Sequence, residues 1–321
     1  MGIDVENSFL DLFDEWYSVK IEASNRSEET KKHYDNFRKI IKTHFDKNYN
    51  EIKPSYYQRA FNIICKSSGN GHAKRLNAVI KKVIEFAQAD GVEIRDFTVG
   101  IEFFSKRDKK SREEKYLHSI SDYYLLKEYL ESRFNFERTN APYYLWLGLL
   151  TALRPAELLG LRWENVDFEA KELRTDDRVS TTTLKRTTAK NRNSIRTIPI
   201  SDEVVEVLQK MQMKQKEILE KSGLDNPENY VFLHPAYRYG LPTNSGLTMY
   251  LKTTLRTLKI TPEISLYGLR HSRISYLLSQ GVGIAVVARY CGHADISQIV
   301  ATYGGLLDES RKTGFSEIQK L

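Results

Sequence analysis

The sequence predicts a mainly α-helical protein with a small β-sheet, divided into a helical domain and a larger α+β domain. Three observations carry this. Apolar residues recur at helical spacing through the first hundred positions. Residues 105–115 are the densest charge run in the chain, with almost no apolar content, and read as an exposed linker. Beyond it, a strictly alternating stretch, Ser194–Ile200, lies among long helical segments. The predicted boundaries are 1–104 for the helical domain, 105–115 for the linker and 116–321 for the α+β domain, with a separate tail from about 306 to 321.

Each element has its own signal. Ser27 ahead of Glu28 and Glu29 is an N-cap with acids in the first turn, and Tyr34, Phe37 and Ile41 follow at helical spacing. Gly69-Asn70-Gly71 marks a turn. Ala73, Leu76, Val79, Ile80, Val83 and Phe86 then form one apolar face. Lys74 with Lys81, and Arg75 with Lys82, form a basic stripe on another face. Such a stripe suits a solvated surface or a helix laid along phosphates. Arg107, Lys109 and Lys110 in the linker carry the same two readings.

The second domain opens on an apolar helix predicted within 143–162, running into Arg154-Pro155-Ala156-Glu157. Asp167–Arg174 reads as a turn and a strand, and Ser194–Ile200 as a strand ended by Pro199. Ser201-Asp202-Glu203 caps a long helix to about Leu219. From Thr243 onward the pattern is helical, broken at Thr261-Pro262, Gly281, Gly283 and Gly292.

Composition bounds the function. Against 42 acidic residues stand 49 Lys and Arg, a formal +7, and the pI is about 9.1. A modest positive excess is compatible with a nucleic-acid partner without requiring one. Two distant cysteines, Cys65 and Cys291, exclude a disulfide scaffold and suit a reducing cytoplasm. No apolar run reaches the roughly 20 residues of a membrane span. The seven histidines show no metal-ligand spacing, and no Gly-rich phosphate loop is present, so neither a metal nor a cofactor is expected.

Four polar groupings carry chemistry. Arg154 sits at a rigid turn, and Glu157 three residues on lies on its side, either orienting it or forming an ordinary ion pair. Lys190 lies in a hairpin-like stretch, where a lysine serves as a proton donor or as a solvated tip; Lys185 and Arg186 compete for the role. Arg270 and His271 open an apolar helix, where a cation opposes the helix dipole and attracts an anion. Gly292-His293 precedes Tyr303, a packed helix-end residue or, beside arginines and a histidine, a nucleophile. Residues 283–303 also pass for a helix-turn-helix.

Taken in order, Arg154, Lys190, Arg270, His293 and Tyr303 resemble the tyrosine recombinase, or phage integrase, family. Thr151–Trp163 looks like its first arginine box and Lys190–Pro199 its lysine box. Gly268-Leu269-Arg270-His271 is similar to its His-x-x-Arg box, with Tyr267 in the histidine position, and Cys291–Tyr303 looks like its last box. The ten-residue step from His293 to Tyr303 is similar to that in integrases of Gram-positive phages and integrative elements. Those relatives often begin with an arm-binding domain of roughly sixty residues, whereas this chain starts directly at a part similar to their SAM-like core-binding domain.

The resemblance implies a site-specific recombinase that integrates or excises a mobile element through a 3′-phosphotyrosyl intermediate. Tyr303 is then the nucleophile, Arg154 and Arg270 the phosphate clamp, Lys190 the acid for the leaving 5′-oxygen, His293 an assistant and Glu157 the support of Arg154. Tyr267 is at most an accessory phosphate contact. The implied partners are double-stranded DNA at core recombination sites and three further copies in a tetramer, with an excisionase or host DNA-bending factor. The implied location is the cytoplasm of a bacterial host. Phe315, Ile318 and Leu321 fall on one helical face that packs at home or docks on a neighbouring protomer. A type IB topoisomerase-like relaxing enzyme and a non-catalytic helix-turn-helix binder are the competing readings.

Overall fold

A computed structural model describes residues 8–104, 113–181, 183–188, 194–293 and 295–303. The chain forms two compact units, Met1–Lys109 and Lys110–Leu321.

Among the described residues the first unit contains four α-helices, α1 (Phe9–Tyr17), α2 (Glu28–Phe45), α3 (Pro54–Ser68) and α4 (Asn70–Ala89). Ser27 caps α2 as its sequence predicts, its hydroxyl accepting from the Thr30 N–H at 3.3 Å. Gly69, at φ 79°, makes the sharp corner between α3 and α4. The core is aromatic: the rings of Phe45, Tyr57, Phe61 and Phe97 lie on one another, with Tyr57 and Phe61 centroids 4.6 Å apart. Ala73, Leu76, Ile80 and Val83 of α4 close that core, and Lys74, Arg75, Lys81 and Lys82 stay exposed on its other side.

The second unit surrounds one central helix. That helix, α6 (Ala141–Thr151), is buried over nearly its whole length and packs against α5 (Ile120–Ser132), α9 (Asn244–Thr257) and α10 (Leu266–Ser279). The predicted helix within 143–162 is in fact two. Pro155 has no N–H to continue α6 and forces Arg154 into an extended conformation, so α7 (Pro155–Leu159) starts afresh. Between them Ala152 adopts a left-handed conformation, φ 53°.

Strands β1 (Val166–Asp167), β2 (Glu172–Thr175) and β5 (Arg196–Pro199) form an antiparallel sheet in the order β1-β2-β5. Its register sets Leu173 opposite Ile198 and Thr175 opposite Arg196. β3 (Asp177–Val179) and β4 (Arg186–Thr188) make a separate hairpin. The long helix α8 (Asp202–Ser222) begins at its predicted cap, Ser201. Among the described residues the last elements are α11 (Ile284–Cys291) and a helical stretch over 297–303.

Two glycines mark where backbones press together. A Cβ on Gly160 would lie 2.8 Å from the Val179 nitrogen, so β3 rests directly on the end of α7. On Gly268 it would lie 2.6 Å from Ile264 Cβ and 2.8 Å from the Lys115 carbonyl, so the turn Glu113–Lys115 lies flat on α10. The Leu117 N–H donates to Ser272 Oγ at 2.9 Å and fastens this crossing. Gly160→Ala is expected to lower stability by about 1–3 kcal/mol, because backbone rather than a flexible side chain must yield. Gly71→Ala, where nothing lies within 4 Å, is expected to change it by less than about 0.5 kcal/mol. Urea unfolding of both variants checks the contrast.

Candidate active site

The site starts from a buried carboxylate. Glu157, in the first turn of α7, accepts the Arg154 backbone N–H at 2.9 Å and Arg154 Nη1 at 2.5 Å. It also accepts both terminal nitrogens of Arg196, at 3.3 and 3.0 Å. Burial alone would push this carboxyl up, but Arg196 and Arg154 outweigh it and hold its pKa below the ordinary value. Glu157 therefore stays ionised and orients two guanidinium groups at once.

The other ends of the arginines meet at the C-terminus of α11. Arg196 Nε donates to the Tyr290 carbonyl at 2.8 Å, Arg270 Nη2 to that of Cys291 at 2.7 Å, and Arg154 Nη2 to that of Gly292 at 3.0 Å. The last carbonyls of a helix have no partners inside it and form the negative end of its dipole. Gly292, at φ 69°, turns the chain at this point, and the His293 N–H returns to the Ala288 carbonyl.

Arg270 is almost completely buried, at 1% exposure. It does not open α10, as its sequence position suggests; Ser265 caps the helix and Arg270 lies a full turn inside. Its second arm donates to the Ala152 carbonyl at 2.7 Å, which the left-handed turn after α6 presents. Its Nε is buried without a hydrogen-bond partner among the described residues. Desolvation lowers its pKa below the usual arginine value, although the group remains a cation.

His293 lies just beyond the α11 carbonyls, its Nδ1 buried and likewise unsatisfied among the described residues. Burial, then Arg270 and Arg154, push its pKa down to about 4, so the ring is neutral. Two orphaned polar atoms beside the guanidinium groups make a cluster electrostatically suited to an anion with several oxygens.

Tyr303 is 2% exposed and belongs to the domain's packed interior. Its ring lies 5.1 Å from that of Tyr116, and its hydroxyl bonds His271 Nδ1 and, at 3.2 Å, the His271 carbonyl. Burial raises its pKa well above the ordinary value while Arg270 opposes the shift, so the phenol is protonated in this state. Tyr267 is half exposed, with the Arg270 guanidinium 5.9 Å from its ring centre, and also faces Arg154.

The structure thus brings together Arg154, Glu157, Tyr267, Arg270, His293 and Tyr303. Lys190, Arg107, Lys109, Lys110 and the tail carrying Phe315, Ile318 and Leu321 lie outside the described residues. Of the competitors of Lys190, Lys185 is exposed and Arg186 pairs with Asp177 and Glu228. Sequence assigns no role to Arg196, and it places His271 with Arg270 as a helix-opening cation, whereas the structure holds it neutral against Tyr303. The signal for Arg196 was present: alternation places it with Ile198 on the inner face of β5, where a charge needs a buried partner. No metal-binding cluster of His, Cys, Asp or Glu occurs among the described residues.

Residues 124–309 match the model of the phage integrase family, and the chain belongs to that family, the tyrosine recombinases that cleave and rejoin DNA. It is a site-specific recombinase of the mobile-element kind. It is 24% identical to a XerC-like tyrosine recombinase of Caldanaerobacter subterraneus over all of this chain and 85% of the relative. It is 22% identical to the integrase of Staphylococcus phage L54a over 98% of this chain and 93% of that one. The Tn1549 transposon integrase, solved with transposon right end DNA, shares its fold. The TM-score is 0.72 at 15% identity, over 92% of this chain and 94% of that one. A lambda integrase dimer on a core site aligns with TM-score 0.65 at 16% identity, over 91% and 77%.

Arg196→Ala is expected to lower stability by about 3 kcal/mol, the low end for breaking a buried pair, because Arg154 remains on Glu157. Urea unfolding measures it. Stability also depends on pH through two half-buried histidines. His293 has a folded pKa of about 4 against about 6.5 when unfolded, so in that window the unfolded chain binds more protons. Stability therefore falls as pH drops from about 6.5 towards 4, with no further loss from this group below. His271, also held to about 4, adds to the same slope. His293→Gln should show a smaller difference between urea midpoints at pH 7 and pH 4.5.

Proposed function

We propose that Tyr303 is the nucleophile of the recombination reaction and that the cluster of Arg154, Arg270 and His293 takes the scissile phosphate. The observation that carries this reading is the pair of orphaned buried atoms, Arg270 Nε and His293 Nδ1, beside guanidinium groups otherwise held on carbonyls. A phosphodiester supplies the missing acceptors and the missing negative charge.

The Tyr303 oxygen attacks phosphorus and the bond to the 5′-oxygen breaks, leaving a 3′-phosphotyrosyl link and a free 5′-hydroxyl. Arg154 and Arg270 stabilise the charge that accumulates on the non-bridging oxygens. His293 hydrogen-bonds a phosphate oxygen, and Lys190 protonates the departing 5′-oxygen. Glu157, shared with Arg196, fixes Arg154, and Tyr267 serves as an accessory contact. The bond energy is retained in the covalent link, which the 5′-hydroxyl of a second strand reverses.

The partner is double-stranded DNA carrying core recombination sites, supported by the DNA complexes named for the Tn1549 and lambda integrases. Residues 1–104 serve as a core-binding domain, 105–115 as a basic linker and 116–321 as the catalytic domain. Lys74, Arg75, Lys81 and Lys82 grip phosphates on α4, with Arg107, Lys109 and Lys110 in the linker. A homo-tetramer on DNA follows the lambda integrase tetramer solved on a Holliday junction. The tail of about 306–321 docks between protomers, and an excisionase or a host DNA-bending factor sets direction.

A nicked suicide substrate tests the reading. The wild-type chain should accumulate a covalent DNA adduct, and Tyr303→Phe should give none while binding stays within about twofold. Arg154→Lys and Arg270→Lys should each slow adduct formation by about 10²–10³-fold, because lysine lacks the planar fork. Replacing Lys74, Arg75, Lys81 and Lys82 by Ala should flatten the slope of log affinity against log salt by about 0.9 for each phosphate that is no longer neutralised. An adduct in Tyr303→Phe would sink the assignment of the nucleophile.

A further inference from the structure

We infer that His271 is the base that receives the proton of Tyr303 during cleavage and returns it during rejoining. The inference rests on the reading of Tyr303 as nucleophile and adds a residue to it.

His271 Nδ1 and Tyr303 Oη are in direct hydrogen-bond contact across 32 residues of sequence. The phenol has one proton and a second available acceptor, the His271 carbonyl at 3.2 Å; Nδ1 is the nearer. An imidazole accepts at Nδ1 only when it is neutral and carries its proton on Nε2. Burial, then the charges of Arg270 and Lys115, keep it neutral here.

The spacing along α10 points the same way independently. Position 267, where the resemblance expects a histidine, carries Tyr267, a phenol in place of an imidazole. His271 is four residues further along α10 and therefore on the same face. Its ring lies 5.1 Å from that of Tyr267 and 5.8 Å from that of Tyr303. An imidazole thus stands one turn behind the usual position and reaches the attacking oxygen directly.

In cleavage the Tyr303 O–H bond breaks, its proton moves to His271 Nδ1, and the oxygen's electron pair forms the bond to phosphorus. The phosphorus bond to the 5′-oxygen breaks, and that oxygen takes its proton from the general acid of the reaction. Rejoining runs the same path backwards, with imidazolium protonating the departing phenolate. The charged groups facing His271 are Arg270 on its own helix and Lys115 from the turn lying on α10, with the titratable His293 beyond α11. Arg270 and Lys115 disfavour imidazolium, while His293 is neutral and adds no charge. A phosphate seated against Arg270 offsets that repulsion and makes His271 basic when substrate is present.

The test compares His271→Ala, His271→Asn, Tyr303→Phe and wild type on the nicked substrate, with circular dichroism and DNA binding as folding controls. The asparagine oxygen reaches the place of Nδ1 and can accept the phenolic hydrogen bond, but it does not take the proton. Both His271 variants should cleave about 10²–10⁴-fold more slowly than wild type at pH 7. Their rates should climb with pH as hydroxide replaces the base. A fluorinated, more acidic tyrosine at 303 should shrink their defect. Recovery in His271→Asn, a wild-type rate in His271→Ala, or a defect indifferent to pH and to phenol acidity would overturn the proposal. An adduct in Tyr303→Phe would instead overturn the reading of the nucleophile, so the two failures are distinct.

Discussion

The C-terminal end of α11 is the constraint on which the site depends. Three consecutive carbonyls, of Tyr290, Cys291 and Gly292, each take a different arginine: Arg196 from β5, Arg270 from α10 and Arg154 from the start of α7. Guanidinium groups repel one another, so gathering three needs a concentrated source of negative potential. A helix terminus supplies it without an ionised side chain, and Glu157 supplies the one full charge. Arg270 shows the effect most plainly, because its buried cation is bonded to carbonyls of Ala152 and Cys291. The resulting excess of positive charge is left for a substrate anion.

The same surroundings set the protonation of the neutral partners. His293 and His271 are uncharged because burial and adjacent arginines oppose a further positive charge. Tyr303 keeps its proton because burial outweighs the pull of Arg270. Before substrate arrives, the site is a set of fixed cations flanked by neutral acid–base groups. In the proposed reaction an entering phosphate makes the imidazoles more basic, and the phenol then has a stronger acceptor at hand for its proton.

Features with local causes were legible in the sequence. Ser27 and Ser201 cap helices because each cap is a bond between residues three apart. The inner face of β5 followed from alternation. The helix break at Arg154-Pro155 is written in the residues, yet a continuous apolar pattern over 143–150 hid it. What sequence could not show were bonds to backbone. The acceptors of Arg270 lie 118 and 21 residues away and are carbonyls, which every residue has, so they leave no mark on residue type. The structure sets this arginine one turn deeper in α10 than its sequence suggests, and that turn separates a surface cation from a buried one. Sequence places His271 with Arg270 at a helix start, and its contact with Tyr303 stays hidden there because the partner is 32 residues away and the pair forms only once α10 and the helical stretch over 297–303 are packed together.

The clamp on α11 grips peptide groups, and this shapes how the sequence can drift. Exchanging the side chains of Tyr290 or Cys291 leaves the carbonyl dipoles that hold Arg196 and Arg270 in place, so these positions can follow the demands of local packing. Gly292 is different, because its left-handed backbone at φ 69° aims the third carbonyl at Arg154. The electrostatic centre of the protein thus depends on where the peptide groups at the end of α11 sit, which its buried side chains Val287, Ala288 and Cys291 set by packing, and on the left-handed backbone of a single glycine.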